Sequence, residues 1–314
     1  MTGRVSIIMP VLNCAGTLRQ ALSSVLSQPE VGEVVFVDDG STDGSPDIAR
    51  QVGDCRVRIV QGPRAGFAAA FNAGLDAARL DYVAECDGDD FYRPRRLEWQ
   101  VAFLDRAPGH VAVAGAFAST DSRARIEVPL LADTAEREVR DELLAGRPAS
   151  HFCAWLLRRE TAMRLGGMRQ WFTTGPDLDL QYRAAELGEV LFMPRIAYVY
   201  RLHGTSITHR ESAARNLFYQ EQARRFAVQR RATGTDDLAQ GHPPTFMPNS
   251  AQVAPMSAHN QFAGHLLGHA HRLRVKGERA SALRAILQSI RFAPLRAGAW
   301  RSGASILADM LVRP

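Results

Sequence analysis

Short continuous apolar pulses alternate with stretches of three- and four-residue apolar spacing over the first hundred residues. Residues 5–9 form one such pulse, closed by Pro10, the pattern of a buried parallel strand stopped by a residue with no N–H to donate. Leu18, Leu22, Val25 and Leu26 then recur on one helical face. Residues 34–37, 57–60 and 82–86 repeat the buried-strand pattern. Between the last two lies a small-residue helix over 66–78 with Phe67, Phe71 and Leu75 on one side. Pro94 opens another helix, carrying Leu97, Val101 and Leu104. Strand and helix alternate across short loops, so the pattern predicts an α/β fold with a mostly parallel central sheet and helices on both faces.

The pattern loosens further along. Residues 111–129 read as less regular strands, 135–144 as a helix and 152–157 as another apolar strand. A tight turn at Leu165-Gly166-Gly167-Met168 precedes a helix that begins at Leu178 and runs through Tyr182 and Leu187, then strands at 190–193 and 197–200. A helix is expected over 211–231 with Leu217, Phe218, Ala223 and Phe226 on one face. Gly234, Gly241, Pro243, Pro244, Pro248 and Pro255 mark 233–258 as loop or linker. Three helices at 262–275, 280–292 and 295–311 close the chain. The division expected is an α/β domain over 1–208 and a helical C-terminal extension over 209–314.

Composition narrows the class. With 46% hydrophobic and 23% charged residues among 314, the chain is an ordinary soluble globular protein. No apolar run reaches 18 residues, so no membrane-spanning helix is expected. The first residues enter a strand directly, without the basic and apolar regions of a signal peptide, which predicts a cytoplasmic chain. Cys14, Cys55, Cys86 and Cys153 show no CxxC spacing, against a structural zinc site and for a reducing compartment. The net charge of +5 is uneven, with Arg crowded late in the chain, as in Arg224-Arg225 and Arg230-Arg231. The C-terminal helices read either as a helical cap or as a basic amphipathic platform touching the inner face of a membrane.

The chemistry concentrates where strands end. The stretch Ala84-Glu85-Cys86-Asp87-Gly88-Asp89-Asp90-Phe91-Tyr92 packs three carboxylates into four positions directly after a buried strand. Like charges this close repel, and a chain keeps them when a cation neutralises them or water screens them. Pro10–Leu12, Asp38-Asp39 and Asp87–Asp89 all fall at carboxyl ends of strands, where ligands bind in open α/β sheets. No GxGxxG follows the first strand and no GxxxxGK[ST] occurs, which argues against dinucleotide and P-loop sites. A calcium loop starting at Asp87 fails because Phe91 takes a ligand position and Tyr92 stands where Gly is needed.

Three segments carry a resemblance: VSIIMPVLN, VVFVDDGSTDGS and YVAECDGDDFYRPRRLE. Together they resemble the family 2 glycosyltransferases, inverting enzymes with a GT-A fold, over about residues 4 to 204. The resemblance implies sugar transfer from a nucleotide-diphospho sugar, UDP-linked, to a glycan, lipid-linked or small-molecule hydroxyl, with Mn²⁺ or Mg²⁺ at a DXD motif. It points to cell-envelope polysaccharide biosynthesis and to no nucleic-acid partner. The nucleotide-sugar set it implies is Pro10, Leu12, Asp39, Arg64, Gly66, Asn72, Asp87 and Gly88, with Asp39 on the base or ribose. Asp89 and His203 would hold the metal, His203 lying in a segment similar to the family's YRxH-G-S. Asp177 aligns with the catalytic base, and Asp90, His151, Asp179 and Arg201 take acceptor or secondary places. Two departures stand out: Phe71-Asn72 where the family often has Arg-Asn, and Pro176-Asp177 where it has Glu-Asp. Two other readings share the layered plan: a sugar-phosphate nucleotidyltransferase, whose Gly-rich, Arg-containing loop after the first strand is missing here, and a non-catalytic nucleotide-binding scaffold.

Overall fold

The computed structural model describes residues 3–132, 134–204, 206, 212–247, 256–295 and 297–312. The chain forms two compact units. The first comprises Met1–Phe117, Leu131–Val199 and Ala214–Gln252, and the second Ala118–Leu130, Tyr200–Ala213 and Val253–Pro314.

The first unit is built on a sheet whose parallel half is β3 (Val57–Gln61), β2 (Val31–Asp38), β1 (Val5–Val11) and β4 (Tyr82–Glu85), in that order. The order continues through β9 (Trp155–Arg158), β6 (His110–Thr120) and β10 (Glu189–Arg201) to β5 (Phe91–Tyr92), with β8 (Arg137–Glu138) on β10. β9 runs antiparallel to both β4 and β6. Every residue of β1 is buried, as a central strand of Val, Ile and Met requires. Contrary to expectation, Pro10 does not stop this strand; it pairs with Val37 inside it. Alternate residues of a strand face the same neighbour, and Ile8 accepts from Cys86 N on the β4 side. The missing N–H of Pro10 therefore faces that side too, beyond Ile8↔Glu85, the last β1–β4 pair.

Helices cover this sheet as the apolar spacing predicts. α1 (Leu18–Leu26) buries Leu18, Ala21, Leu22 and Val25. α2 (Ser45–Val52) follows β2, and α3 (Phe67–Ala77) buries Ala68, Ala69, Ala70, Phe71 and Leu75. α4 (Arg96–Arg106), α5 (Arg140–Leu144), α6 (Arg159–Arg164) and α7 (Pro176–Leu187) complete the layer. The irregular strands expected from residue 111 turn out to be the eleven-residue β6 and a short β7 (Glu127–Leu130). The helix expected over 135–144 shrinks to α5, and residues 190–200 form one thirteen-residue strand, β10. The strand expected from 152 begins as a 3₁₀ turn, Phe152–Ala154, where the buried Arg96 donates to the carbonyls of Cys153 (2.6 Å) and Trp155 (2.9 Å).

α8 (Ala213–Thr233) corrects the expected domain boundary. It belongs to the first unit, burying Tyr219, Ala223, Phe226 and Ala227 in the main core. Trp171 meets Tyr219 edge-on at 5.1 Å and Phe172 meets Phe226 at 6.0 Å. That aromatic contact outweighs the helix's place in the sequence, because burying such rings dominates core energetics.

The second unit contains β7, the last residues of β6, and three helices: α9 (Ala258–Val275), α10 (Arg279–Phe292) and α11 (Ala297–Val312). Val128, Leu202, Ala258, Phe262 and Leu266 form one cluster, with Phe292 edge-on to Phe262 at 4.9 Å. Ala270, Ala282, Ala285 and Ile286 form another between α9 and α10. Ser257 caps α9 by accepting from Asn260 N. Residues 248–255 of the expected linker lie outside the described residues. Among the described residues no helix is long and apolar enough to cross a membrane.

Candidate active site

Most polar groups of the segment 38–45 are spent on holding two loops together. Asp38 Oδ1 accepts from Ser41 N (2.8 Å), and Asn13 Oδ1 accepts from Thr42 N (2.8 Å). Asp43 accepts from the Ser45 hydroxyl (2.6 Å) and from Ala15 N (2.8 Å), while Ser45 Oγ accepts from Cys14 N (3.0 Å). Burial works to raise the Asp43 carboxyl, but these donors outweigh it and hold the group below the usual range. Asp39 has a different place: its Oδ1 accepts from Arg64 N (2.7 Å), joining the loop after β2 to the loop after β3. The Arg64 side chain lies along Gly40, and Gly66 precedes α3, whose N-terminus has no side-chain cap. Pro10 is buried in β1, whereas Leu12 stands 54% exposed just beyond it.

The acidic turn leaves β4 over the same end of the sheet. A Cβ on Gly88 would sit 3.0 Å from Cys14 Cβ and 3.1 Å from Val11 Cγ2, so any other residue here would crowd the loop after β1. Thr17 Oγ1 fixes it by donating to Gly88 O (2.9 Å). Tyr198, from β10, accepts from Asp87 N (3.2 Å) and donates to Asp90 Oδ2 (2.7 Å). Tyr92 donates to Glu85 O (2.7 Å) and lies 3.8 Å from the guanidinium of Arg96. A buried cation and two tyrosines thus support the turn from below.

The turn concentrates negative charge. Asp87, Asp89 and Asp90 each present a carboxylate oxygen within 4.8 Å of the others, and Glu85, Asp87 and Cys153 do the same. Burial, then the charge of Asp89, raises Asp87 above the usual carboxylate range. Burial, reinforced by Asp87 and Asp177, raises Glu85 well above it. Burial pushes Asp177, at the start of α7, up to about 6 against backbone hydrogen bonds that oppose the shift. After burial and nearer charges, the charge of Asp177 also contributes to raising both Glu85 and Asp87. Burial and the nearby Asp89 likewise push the Cys14 thiol to about 12, and burial lowers His151 to about 4. His151 is therefore a neutral ring, stacked on Tyr198 at 5.8 Å and touching Phe117 at 5.5 Å.

Glu85 and Cys153 are the neighbours that the sequence reading did not single out. Glu85 Oε1 and Trp155 Nε1 are buried with no partner among the described residues, and both residues line one internal gap beside Phe71 and Phe152. Glu85 was visible in the sequence as a carboxylate two positions before Asp87; Cys153 had no signal.

Other candidates have structural duties. Asn72 is clamped face to face with the backbone of Met168, donating to its O and accepting from its N at 2.8 Å each. The clamp needs Gly167 at φ +69, where a Cβ would fall 2.2 Å from Asn72 Oδ1. Asp90 is 1% exposed and supports the turn through Tyr198 rather than facing an acceptor. Asp179 is also closed to an acceptor: its side chain is fully buried and bonded to Arg169 and Arg183. Arg169 and Arg230 both continue to Asp236. Asp179→Ala would strand buried guanidinium groups, and a loss of about 3–5 kcal/mol in urea unfolding is expected; a loss under about 1 kcal/mol would show that Asp236 suffices alone. Arg201 and His203 lie in the second unit, where Arg201 donates to Ser122 O (3.2 Å) and His203 O accepts from Ser206 N (3.2 Å).

The model of the family described as "Glycosyl transferase family 2" matches residues 6–166, just over half of the chain. The "Putative glycosyltransferase EpsE" of Bacillus subtilis (strain 168) is 43% identical over 108 residues, 33% of this chain and 39% of that protein. The chain spans less than half the length of the curated relatives it matches. Among solved structures, S. aureus TarS 1-349 in complex with UDP-GlcNAc superposes with TM-score 0.59 at 15% identity, covering 93% of this chain and 82% of that one. The mannosyltransferase PcManGT from Pyrobaculum calidifontis, in complex with GDP-Man and Mn²⁺, superposes with TM-score 0.56 at 21% identity, covering 98% and 81%. These likenesses are of fold: the α/β sheet with its mostly parallel centre is that of GT-A glycosyltransferases.

Proposed function

The chain belongs to glycosyl transferase family 2, and from that premise we propose that it is an inverting, metal-dependent enzyme that uses a UDP-linked sugar. The acceptor is a hydroxyl of a glycan, lipid-linked or small-molecule partner. The observation that carries this reading is the crowding of Asp87, Asp89 and Asp90, with carboxylate oxygens within 4.8 Å of one another, in the turn that follows β4.

The residues fit a hard divalent cation. Three aspartate oxygens within 4.8 Å of one another offer the donors that Mg²⁺ and Mn²⁺ prefer, and burial followed by the charge of Asp89 raises Asp87. Asp89 would hold the metal, with Asp87 between it and the ribose. A divalent ion bound there supplies Lewis-acid stabilisation of charge on the leaving diphosphate. Asp39 receives the nucleoside beside Arg64 and Gly66, and the uncapped start of α3 favours an anion. Asp177 takes the proton of the acceptor hydroxyl as its oxygen attacks the anomeric carbon from the side opposite the diphosphate. Burial suits it to that task, because a base with its pKa near working pH holds a proton more readily than an ordinary carboxylate. The UDP-GlcNAc in the TarS complex and the GDP-Man and Mn²⁺ in the PcManGT complex support a nucleotide-sugar donor and a divalent metal.

A panel of UDP- and GDP-sugars, each with and without Mn²⁺, tests the proposal by melting temperature and nucleotide release. A UDP-sugar is expected to raise the melting temperature more with Mn²⁺ present and to release UDP slowly by hydrolysis. Binding of UDP without turnover of any donor, on any acceptor offered, would favour the scaffold reading instead.

A further inference from the structure

The C-terminal helices carry a surface outside the residues assigned to sugar transfer above. Residues 256–314 hold nine Lys or Arg against two acidic residues, an excess larger than the net charge of the whole chain. On α10, Arg284, Leu287 and Arg291 fall at four- and three-residue intervals and are all exposed, so one face alternates guanidinium and aliphatic groups. The opposite positions Ala282, Ala285, Ile286 and Ser289 are buried.

Further exposed apolar side chains follow the end of α10. Leu295 is 97% exposed, Leu287 58% and Trp300 56%. Trp300 is held in place, its Nε1 donating to Pro294 O at 2.7 Å, so its indole N–H is satisfied while much of the ring meets solvent. Arg301 follows it in the sequence, and both Arg291 and Arg301 are exposed. Single exposed apolar residues are unremarkable, but Leu287, Leu295 and Trp300 fall in one short stretch of chain that also carries exposed arginines.

We propose that the exposed side chains of α10, Leu295 and the start of α11 at Trp300 and Arg301 seat on the surface of an anionic lipid bilayer, Leu295 and Trp300 entering the headgroup boundary and Arg284, Arg291 and Arg301 meeting the headgroups. Charge complementarity selects this occupant. Arginines beside a tryptophan with a satisfied N–H are the composition that rests at a membrane interface. A nucleic acid would use the cations but gives no partner to Leu287 and Leu295.

Flotation of the full chain with vesicles tests the assignment. Binding to phosphatidylcholine vesicles containing about 30% phosphatidylglycerol is expected to exceed binding to pure phosphatidylcholine roughly tenfold or more. About 0.5 M salt should weaken it strongly. R284Q/R291Q, on exposed positions, should remove the preference for anionic vesicles, and L295S should lower binding to them severalfold, both with an unchanged melting temperature. Equal binding to neutral vesicles, or no binding to either, overturns the proposal. So does L295S changing a dimer into a monomer in sedimentation velocity, which would give the patch to a second copy. Preferential capture of polyuridylate by the wild type, lost in R284Q/R291Q while vesicle binding persists, would assign the cations to nucleic acid instead. None of these readouts depends on turnover, so they stand whatever sugar transfer shows.

Discussion

Asp177→Asn is expected to lower sugar transfer by about 10²–10⁴-fold while leaving donor binding intact, the loss typical of a removed general base. The same substitution should stabilise the protein at alkaline pH. Asp177 is raised from its ordinary value of 3.8 to about 6 by burial, so between those values the folded chain binds a proton that the unfolded chain does not. The stability of the neutral carboxyl is complete below about 3.8 and is lost as pH rises through about 6. Asparagine never bears that charge. At pH 8 the variant should therefore be more stable by about 1–3 kcal/mol, and at pH 4 the difference should vanish. In the wild type, kcat/KM should fall about tenfold per pH unit below about 6, as the base is protonated. Urea melts at both pH values and a pH–rate profile check the pair of effects. A variant that is inactive and also less stable at pH 8 would mark Asp177 as a helix-start residue, not a base.

Asp89→Asn is expected to remove the metal-dependent part of donor binding. In the wild type, Mn²⁺ should add to the rise in melting temperature that a UDP-sugar produces; in the variant that increment should disappear. Transfer should drop by about 10²–10⁴-fold, the rate equivalent of several kcal/mol of lost Lewis-acid stabilisation. Asp89 is suited to isolate this effect. It is only partly buried, unlike Asp90, whose removal would also free Tyr198 beneath the turn. An Asp89→Asn protein with undiminished response to Mn²⁺ would move the cation to the Glu85, Asp87 and Cys153 cluster, where a thiol replaces one hard oxygen.

The Asp38–Ser45 segment shows how far a motif can be read from its letters. Its density of Asp, Ser and Gly marks a strand-to-helix turn, and such a turn is found. Yet Asp38, Ser41, Asp43 and Ser45 hold backbone groups of their own loop and of the loop after β1, and Asp39 is the carboxylate that reaches toward β3. One-dimensional spacing treats these acids alike; only the fold separates them, because partners such as Ala15 N and Arg64 N come from other segments. The same holds for Asn72, whose partner Met168 lies 96 positions away.

The sequence by itself determined the parallel half of the sheet, its helices and the meeting of three loops at its carboxyl edge. Those features follow from local periodicity and from the rule that parallel strands share one direction. Tertiary structure alone decided which carboxylates are exposed and which are buried, that Pro10 sits within a strand, and that α8 belongs to the first unit. Each of these depends on desolvation and on neighbours distant along the chain, and no local pattern of hydrophobic and polar residues records where those neighbours arrive.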